Sequence, residues 1–259
     1  MCESCDNVIS TSRTRRGFLA AIGGVGLVAL LRRPMRAMAF AEQASNSSST
    51  VAPVEVTPGL LIHPRNTWGA KLPALGKLHP EEVKFLLVHH SDGTTDYTRA
   101  QVPGVIANIF LYQTSSRKKW PDTCYNFFVD RFGGVWEGRT GSLSGPVQAD
   151  ATAGSQGFAQ LVCLLGDFEN NSPTPEMIDG LSRLLGWLGY KYEIDLNQKR
   201  TVSFVSRGSN KWKKGAKVKA RPISGHRDMT YTLCPGKHVY PLLDTVVPGK
   251  AQAFRATIA

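Results

Sequence analysis

The sequence has no tandem repeat and no glycine-rich loop of the kind that cradles phosphate, which argues against solenoid architectures and nucleotide chemistry. Long apolar runs are also scarce. Residues 18–31, rich in Gly and Ala, fall short of the roughly 20 residues that a membrane-spanning helix needs. Cysteine is sparse, and two of the five, Cys2 and Cys5, stand at the extreme N-terminus. Acidic residues are missing altogether from residues 199–221, which carry nine Lys/Arg.

What is present begins with an N-terminal address. Ser12-Arg13-Thr14-Arg15-Arg16-Gly17-Phe18-Leu19 sets paired arginines before the short apolar segment, and Ala37-Met38-Ala39 and Ala39-Phe40-Ala41 are A-x-A cleavage patterns. Together these resemble a twin-arginine export signal. Arg32-Arg33, after the apolar run, keeps an uncleaved, membrane-tethered form as an alternative. Residues 42–57, with Ser-Asn-Ser-Ser-Ser-Thr, read as a flexible linker. The expected organisation is a signal over 1–41, that linker, a folded domain over 58–248 and a tail over 249–259. The chain has room for one sizeable domain or two small ones.

The formal net charge is +11. Residues 1–41 hold six Lys/Arg and two Asp/Glu, so their removal leaves 25 basic against 18 acidic residues. A basic exported protein is drawn to anionic cell-envelope polymers rather than to nucleic acid. Residues 199–221 read most simply as a solvated, twisted hairpin; the functional alternative is a cationic lobe that meets such polymers. After loss of the signal three cysteines remain, and an odd number in an exported chain points to one thiol with a separate job. Cys124 and Cys163 are then either a disulfide or two separate buried thiols.

The pattern predicts several elements. Residues 83–90 form an apolar run of strand length, as a central strand covered on both faces requires, ending in His89-His90-Ser91. Adjacent strand residues point to opposite faces, so only one of the two histidines can join a given site. Ile106, Ile109, Phe110 and Gln113 fall at helical spacing. Residues 125–130 and 135–139 bracket a glycine turn as a hairpin, with Tyr125, Phe127 and Val129 sharing a face. Residues 161–165 make another buried strand. Thr174 and Pro175 start a helix whose stripe is Met177, Leu181, Leu184, Leu185 and Leu188, with Gly189 as its stop. Trp68 is expected in the core.

The chemistry concentrates in Gly225-His226-Arg227-Asp228-Met229-Thr230-Tyr231-Thr232-Leu233-Cys234-Pro235-Gly236. Imidazole and thiolate are ligands that zinc favours, and a catalytic zinc needs three protein ligands with one open position. His226 and Cys234 supply two; His89 is the best candidate for the third. Zinc lowers the pKa of bound water from about 16 to about 7 and polarises carbonyls, so amide hydrolysis is the natural reaction. The tetrahedral intermediate then needs a donor for its oxyanion. Tyr125, on a strand that could pair beside the His89 strand, has a phenol of suitable reach, and Thr232 offers a second polar contact.

Trp68-Gly69-Ala70, Val88-His89-His90-Ser91, Tyr125-Asn126-Phe127, Trp136-Glu137-Gly138-Arg139, Leu165-Gly166-Asp167-Phe168, Gly225-His226-Arg227-Asp228 and Cys234-Pro235-Gly236 together resemble, in order, the peptidoglycan recognition protein and zinc amidase family, its bacterial secreted branch above all. The resemblance covers roughly residues 64–243. It implies an α/β fold with a central mixed β-sheet flanked by helices. It implies hydrolysis of the amide between N-acetylmuramic acid and L-alanine of the peptidoglycan stem, with Zn2+ held by His89, His226 and Cys234 and with Tyr125 assisting catalysis. Thr232 falls where some members carry lysine and others threonine. Members that only bind peptidoglycan commonly lack the cysteine, so Cys234 argues for an enzyme over a non-catalytic peptidoglycan-binding protein that uses the same groove. Peptidoglycan is the expected partner, with anionic wall polymers as a further one, no nucleic acid, membrane contact only through an uncleaved signal, and a monomeric state. Two departures stand out: Asp150 falls where many members have histidine, and Cys124 where glycine is common.

Overall fold

The computed structural model describes residues 51–151 and 157–258. The expected signal and the larger part of the expected linker lie outside the described residues. The described chain is organised on a seven-stranded sheet with strands β1 (Val54–Thr57), β2 (Leu60–His63), β3 (Phe85–His90), β4 (Phe127–Val129), β5 (Val135–Glu137), β6 (Ala159–Leu164) and β9 (Ile223–Gly225), in the order β1-β2-β5-β4-β6-β3-β9. The sheet is mixed: β3 runs parallel to both β6 and β9, while β4 and β5 form the antiparallel hairpin. Helices α1 (Asn66–Gly69), α2 (Val102–Gln113), α3 (Pro175–Lys191), α4 (His226–Met229) and α5 (Val246–Ala256) flank it. This is the expected α/β architecture. Among the described residues no helix is long and apolar enough to cross a membrane.

The alternation of strand side chains splits the core into two layers. Leu86 and Val88 of β3 pack with Met177, Leu181, Leu184, Leu185 and Leu188 of α3. Phe85 and Leu87 face the other way, with Ile106, Ile109 and Phe110 of α2 and with Trp68. All six residues of β3 are buried, because helices cover both faces and strands cover both edges. Burial of each such Leu or Phe stabilises the fold by about 1.5–3 kcal/mol relative to exposure. Helix α3 starts as its residues dictate, with the Thr174 hydroxyl accepting the Met177 N–H at 3.1 Å and Pro175 in the first turn.

Several expectations need correction. Gly189 does not end α3, which continues to Lys191. Its role is close packing: a Cβ there would lie 2.8 Å from a methyl group of Leu196. The fold also extends past both edges expected for the domain, since β1 lies within the expected linker and α5 runs from the expected domain into the expected tail. Helix α5 presents Val247 and Ala251 to the α3 layer, which a sequence weak in large apolar residues hid.

Residues 202–220 form a second, separate sheet of two antiparallel strands, β7 (Val202–Val205) and β8 (Lys217–Ala220). One face of this hairpin is solvated as expected; the other is core. Phe204 stacks on Phe85 at 5.4 Å, and Val218 and Ala220 are buried beside it. Arg207 fixes the hairpin further through two bonds to the buried carboxylate of Glu81, at 2.6 and 2.9 Å.

Candidate metal centre

The strand register explains how two histidines 137 positions apart in the chain meet. Val88 of β3 stands opposite Gly225 of β9 in a parallel pair, so the next residue on each chain, His89 and His226, emerge side by side. Their ring centroids are 4.4 Å apart. Cys234 returns to them across the short helix α4, held by the Arg227 N–H donating to its carbonyl at 3.0 Å. Its Sγ lies 3.8 Å from Nδ1 of His89 and accepts the backbone N–H of His90 at 3.3 Å. Gly236 permits this return. Its φ is +93°, and a Cβ there would come within 2.2 Å of the Phe168 backbone, a space no other residue can share.

His89, His226 and Cys234 are all buried, and one potential ligand atom from each lies within 4.8 Å of the others. Tetrahedral zinc, with bonds of about 2.0–2.3 Å, spaces its ligands about 3.3–3.8 Å apart, so a small contraction would close the site on a metal. Both ring nitrogens of His226 are buried without a hydrogen-bond partner. Leaving such a group unsatisfied costs about 1–3 kcal/mol, and a metal ligand bond removes that cost. The donor set fits a divalent ion of zinc's character.

His90 points to the opposite face, as strand alternation requires. It forms a second group with Asp92 and Asp167. There the Phe168 N–H donates to His90 Nδ1 at 3.1 Å, which places the ring proton on Nε2 and away from metal duty. Asp167 accepts from Asn170 and Glu169 in its own turn; these bonds outweigh burial and hold its carboxyl below the usual range. This second group supports the loop.

Tyr125 reaches the first cluster by a route different from the one expected. Strand β4 pairs with β6, so β6 separates it from β3. Tyr125 lies just before β4, where the Asn126 side chain enters the pairing: its Oδ1 accepts the Leu161 N–H and its Nδ2 donates to the Val147 carbonyl, while its backbone N–H donates to the Leu161 carbonyl. Tyr125 therefore shares a face with Phe128, not with Phe127 and Val129. Its ring lies 5.2 Å from that of His89 and is 4 % exposed. Thr232 is half-buried beside Cys234, and its Oγ1 accepts the Cys234 N–H at 3.1 Å.

The two sequence departures have structural partners. Asp150 forms a 2.5 Å ion pair with Arg139, whose guanidinium is almost fully buried. Cys124 and Cys163 are separate buried thiols, which resolves the disulfide alternative. Gln113 of α2 grips Cys124 twice: its Nε2 donates to Sγ at 2.8 Å and its Oε1 accepts the backbone N–H at 2.9 Å. Burial, aided by the Asp150 charge, pushes the Cys124 thiol well above its ordinary value.

Sequence reasoning missed Arg65 and Asp122. Arg65 pairs with the fully buried Asp122 at 2.6 Å, donates to the carbonyls of Gly138 and Leu72, and lies over the Trp68 ring at 4.3 Å. No spacing signal joins residues so far apart. It also missed Ser209, Asn210, Lys211 and Trp212, which contact the segment carrying His226 and Cys234.

Comparison with known proteins agrees with this architecture. The model of the N-acetylmuramoyl-L-alanine amidase family matches residues 79–237, more than half of the chain, and the protein belongs to that family. Peptidoglycan-recognition protein SC1a/b of Drosophila simulans is 26% identical over 186 residues, covering 70% of this chain and 83% of that protein. Among solved structures, peptidoglycan recognition protein-LE in complex with tracheal cytotoxin, a monomeric diaminopimelic acid-type peptidoglycan, has a TM-score of 0.55 at 21% identity, covering 71% of this chain and 92% of that one. The N-acetylmuramoyl-L-alanine amidase LysC from Clostridium intestinale has a TM-score of 0.50 at 17% identity, covering 71% and 93%.

Proposed function

We propose that this protein is an exported, zinc-dependent amidase that cleaves the bond between N-acetylmuramic acid and L-alanine in peptidoglycan. The observation that carries the reading is the convergence of His89, His226 and Cys234 into one buried three-ligand cluster. His89, His226 and Cys234 would hold the zinc. When bound, the ion supplies Lewis-acid polarisation of the scissile carbonyl and acidifies a water to a pKa near 7.

The chain's own residues do the rest. Tyr125, beside His89, presents a phenol that donates a hydrogen bond to the oxygen on which negative charge develops. The Thr232 hydroxyl accepts from Cys234 and can donate at the same time, giving a neutral contact weaker than a charged one. Arg139 and Asp150, paired within the Tyr125 surroundings, keep that wall rigid: the Arg139 N–H donates to the Tyr125 carbonyl at 2.9 Å and the Asp150 N–H to that of Cys124 at 3.3 Å. Burial of His89, His226, Cys234 and Tyr125 lowers the local dielectric, which strengthens the polar contacts made among them.

The names of the recognition-protein relatives favour a second reading, a binding module that holds the stem peptide without cleaving it. Metal content and turnover separate the two. Protein purified without chelator is expected to carry about one zinc per chain, as one three-ligand site requires, and to release stem peptide from purified peptidoglycan. A folded, wall-binding protein with neither zinc nor product would leave the binding module as the answer.

Export is part of the proposal, on the strength of the paired arginines and the A-x-A patterns. Replacing Arg15-Arg16 by Lys-Lys is expected to keep the protein inside the cell; undiminished secretion would remove the twin-arginine assignment.

A further inference from the structure

A helix leaves its last carbonyls without partners inside the helix. Helix α4 is only four residues long, so nearly all of its carbonyls are in that position. It also matters more than its length suggests: it begins at His226, and the chain leaving it reaches Cys234 five residues later. A helix so short has no stability of its own. Something outside it must hold it.

The tip of the basic hairpin does so. The Lys211 ammonium donates to the carbonyl of Arg227 at 2.7 Å, the Trp212 indole Nε1 to that of Asp228 at 2.9 Å, and the Ser209 hydroxyl to that of Met229 at 2.8 Å. These are three successive carbonyls, each capped by a different side chain of one short loop. Asn210 continues the series: its Oδ1 accepts the Tyr231 N–H at 2.8 Å and its Nδ2 meets the Tyr231 carbonyl at 3.5 Å. The positive charge of Lys211 at the C-terminal end of a helix is favourable in its own right. The tip can act as a holder because its base is fixed, to β3 by the Phe204–Phe85 stack and to the segment ahead of β3 by Arg207 on Glu81.

We infer that residues 209–212 are positioning residues for the metal centre: they cap α4 from a separate lobe and so keep His226 and Cys234 at the spacing at which, with His89, they retain zinc. The inference rests on the zinc reading above. It also changes the meaning of the basic stretch, because Lys211 is engaged with the protein whereas Lys213 and Lys214 are exposed.

The experiment uses the full chain loaded with zinc and follows zinc transfer to a chromogenic chelator. Trp212→Phe keeps the ring and loses the donor; Lys211→Met keeps the stem and loses the charge; Asn210→Leu loses both bonds to Tyr231, and Asn210→Asp keeps the acceptor. The double variant Lys211→Met/Trp212→Phe is expected to release zinc about 10-fold faster or more, the usual effect of removing groups that orient ligands. Asn210→Leu should also release it faster and Asn210→Asp at close to the wild-type rate, with the metal-free melting temperature unchanged throughout. Release at the wild-type rate in the double variant and in Asn210→Leu would overturn the inference, as would a fall in metal-free melting temperature that tracks the release rate. Amide exchange at Thr230 and Tyr231 in metal-free protein gives an independent reading. Faster exchange in Asn210→Leu but not in Asn210→Asp supports the hold, and equal exchange in all forms contradicts it. If the wild type takes up no zinc at all, the functional reading fails, while amide exchange still decides whether the tip holds α4.

Discussion

The thiol sulfur of Cys234 accepts the backbone N–H of His90 at 3.3 Å, across 144 residues of sequence. The bond ties the loop after α4 to the end of the central strand, and it turns the sulfur toward His89, the neighbour of the donor. His90 thus contributes its main chain to the candidate centre while its ring, on the other face, fixes the Phe168 loop. One dipeptide serves both sides of the sheet.

Tyr125→Phe is expected to lower the rate of stem-peptide release by about 100-fold or more, the usual effect of removing one oxyanion donor. Zinc content should stay at the wild-type level, because the phenol is not one of the three candidate ligands. Activity within a few-fold of wild type would remove Tyr125 from the mechanism.

Arg65→Ala should be among the most destabilising single substitutions outside the core layers. It leaves the Asp122 carboxylate buried without its cation, a loss of the order of 3–5 kcal/mol. Urea unfolding read by tryptophan fluorescence measures it; a loss under about 1 kcal/mol would mean that the pair adds little beyond packing.

Gln113→Leu removes two bonds to Cys124 at once, one at its sulfur and one at its backbone N–H. The backbone N–H of Cys124 then stays buried and unsatisfied, which costs about 1–3 kcal/mol. Because Cys124 precedes Tyr125, turnover should fall together with stability. Cys124 itself, buried and held as a thiol, should resist alkylation at pH 8 in the folded wild type and react only on unfolding. Rapid native-state labelling of Cys124 would contradict its placement.

Stability should also depend on pH through His63. This ring stacks on Trp136 at 3.8 Å, and burial holds it below its ordinary value of 6.5 despite the opposing Asp130 charge. The unfolded chain therefore binds the proton at higher pH than the folded chain does. His63's contribution is present in full above about pH 6.5 and is lost as pH falls from there toward the folded value. Denaturant midpoints should decline between pH 7.5 and 5.5, and His63→Phe, which can keep the stack, should flatten that slope. An unchanged slope would show that other groups set the acid limit.

Much of the framework was legible in the sequence because its elements carry strong periodic signals. The α2 and α3 stripes and the buried runs of β3 and β6 lie where periodicity predicted them, since both faces of the sheet must be covered. The three residues of the candidate metal centre were legible as ligand types. Their meeting depends on the parallel pairing of β3 with β9, which no local pattern reveals. The break in alternation before β4 was hidden because it falls at Asn126, whose side chain takes the Leu161 N–H that a regular ladder would give to a backbone carbonyl, and the period of two fails at Tyr125. The hairpin tip was hidden for a related reason. Its lysines look like a solvated run, and only tertiary structure shows that Lys211 and Trp212 donate to helix carbonyls.

The most direct test is mass spectrometry of the soluble products from purified peptidoglycan treated with zinc-loaded wild type and with Cys234→Ala. The wild type is expected to release stem peptides with a free L-alanine N-terminus and to leave N-acetylmuramic acid with an unsubstituted lactyl carboxylate, and Cys234→Ala to release neither. Equal release by both proteins, or cleavage at a sugar–sugar or peptide–peptide bond, would contradict the assignment.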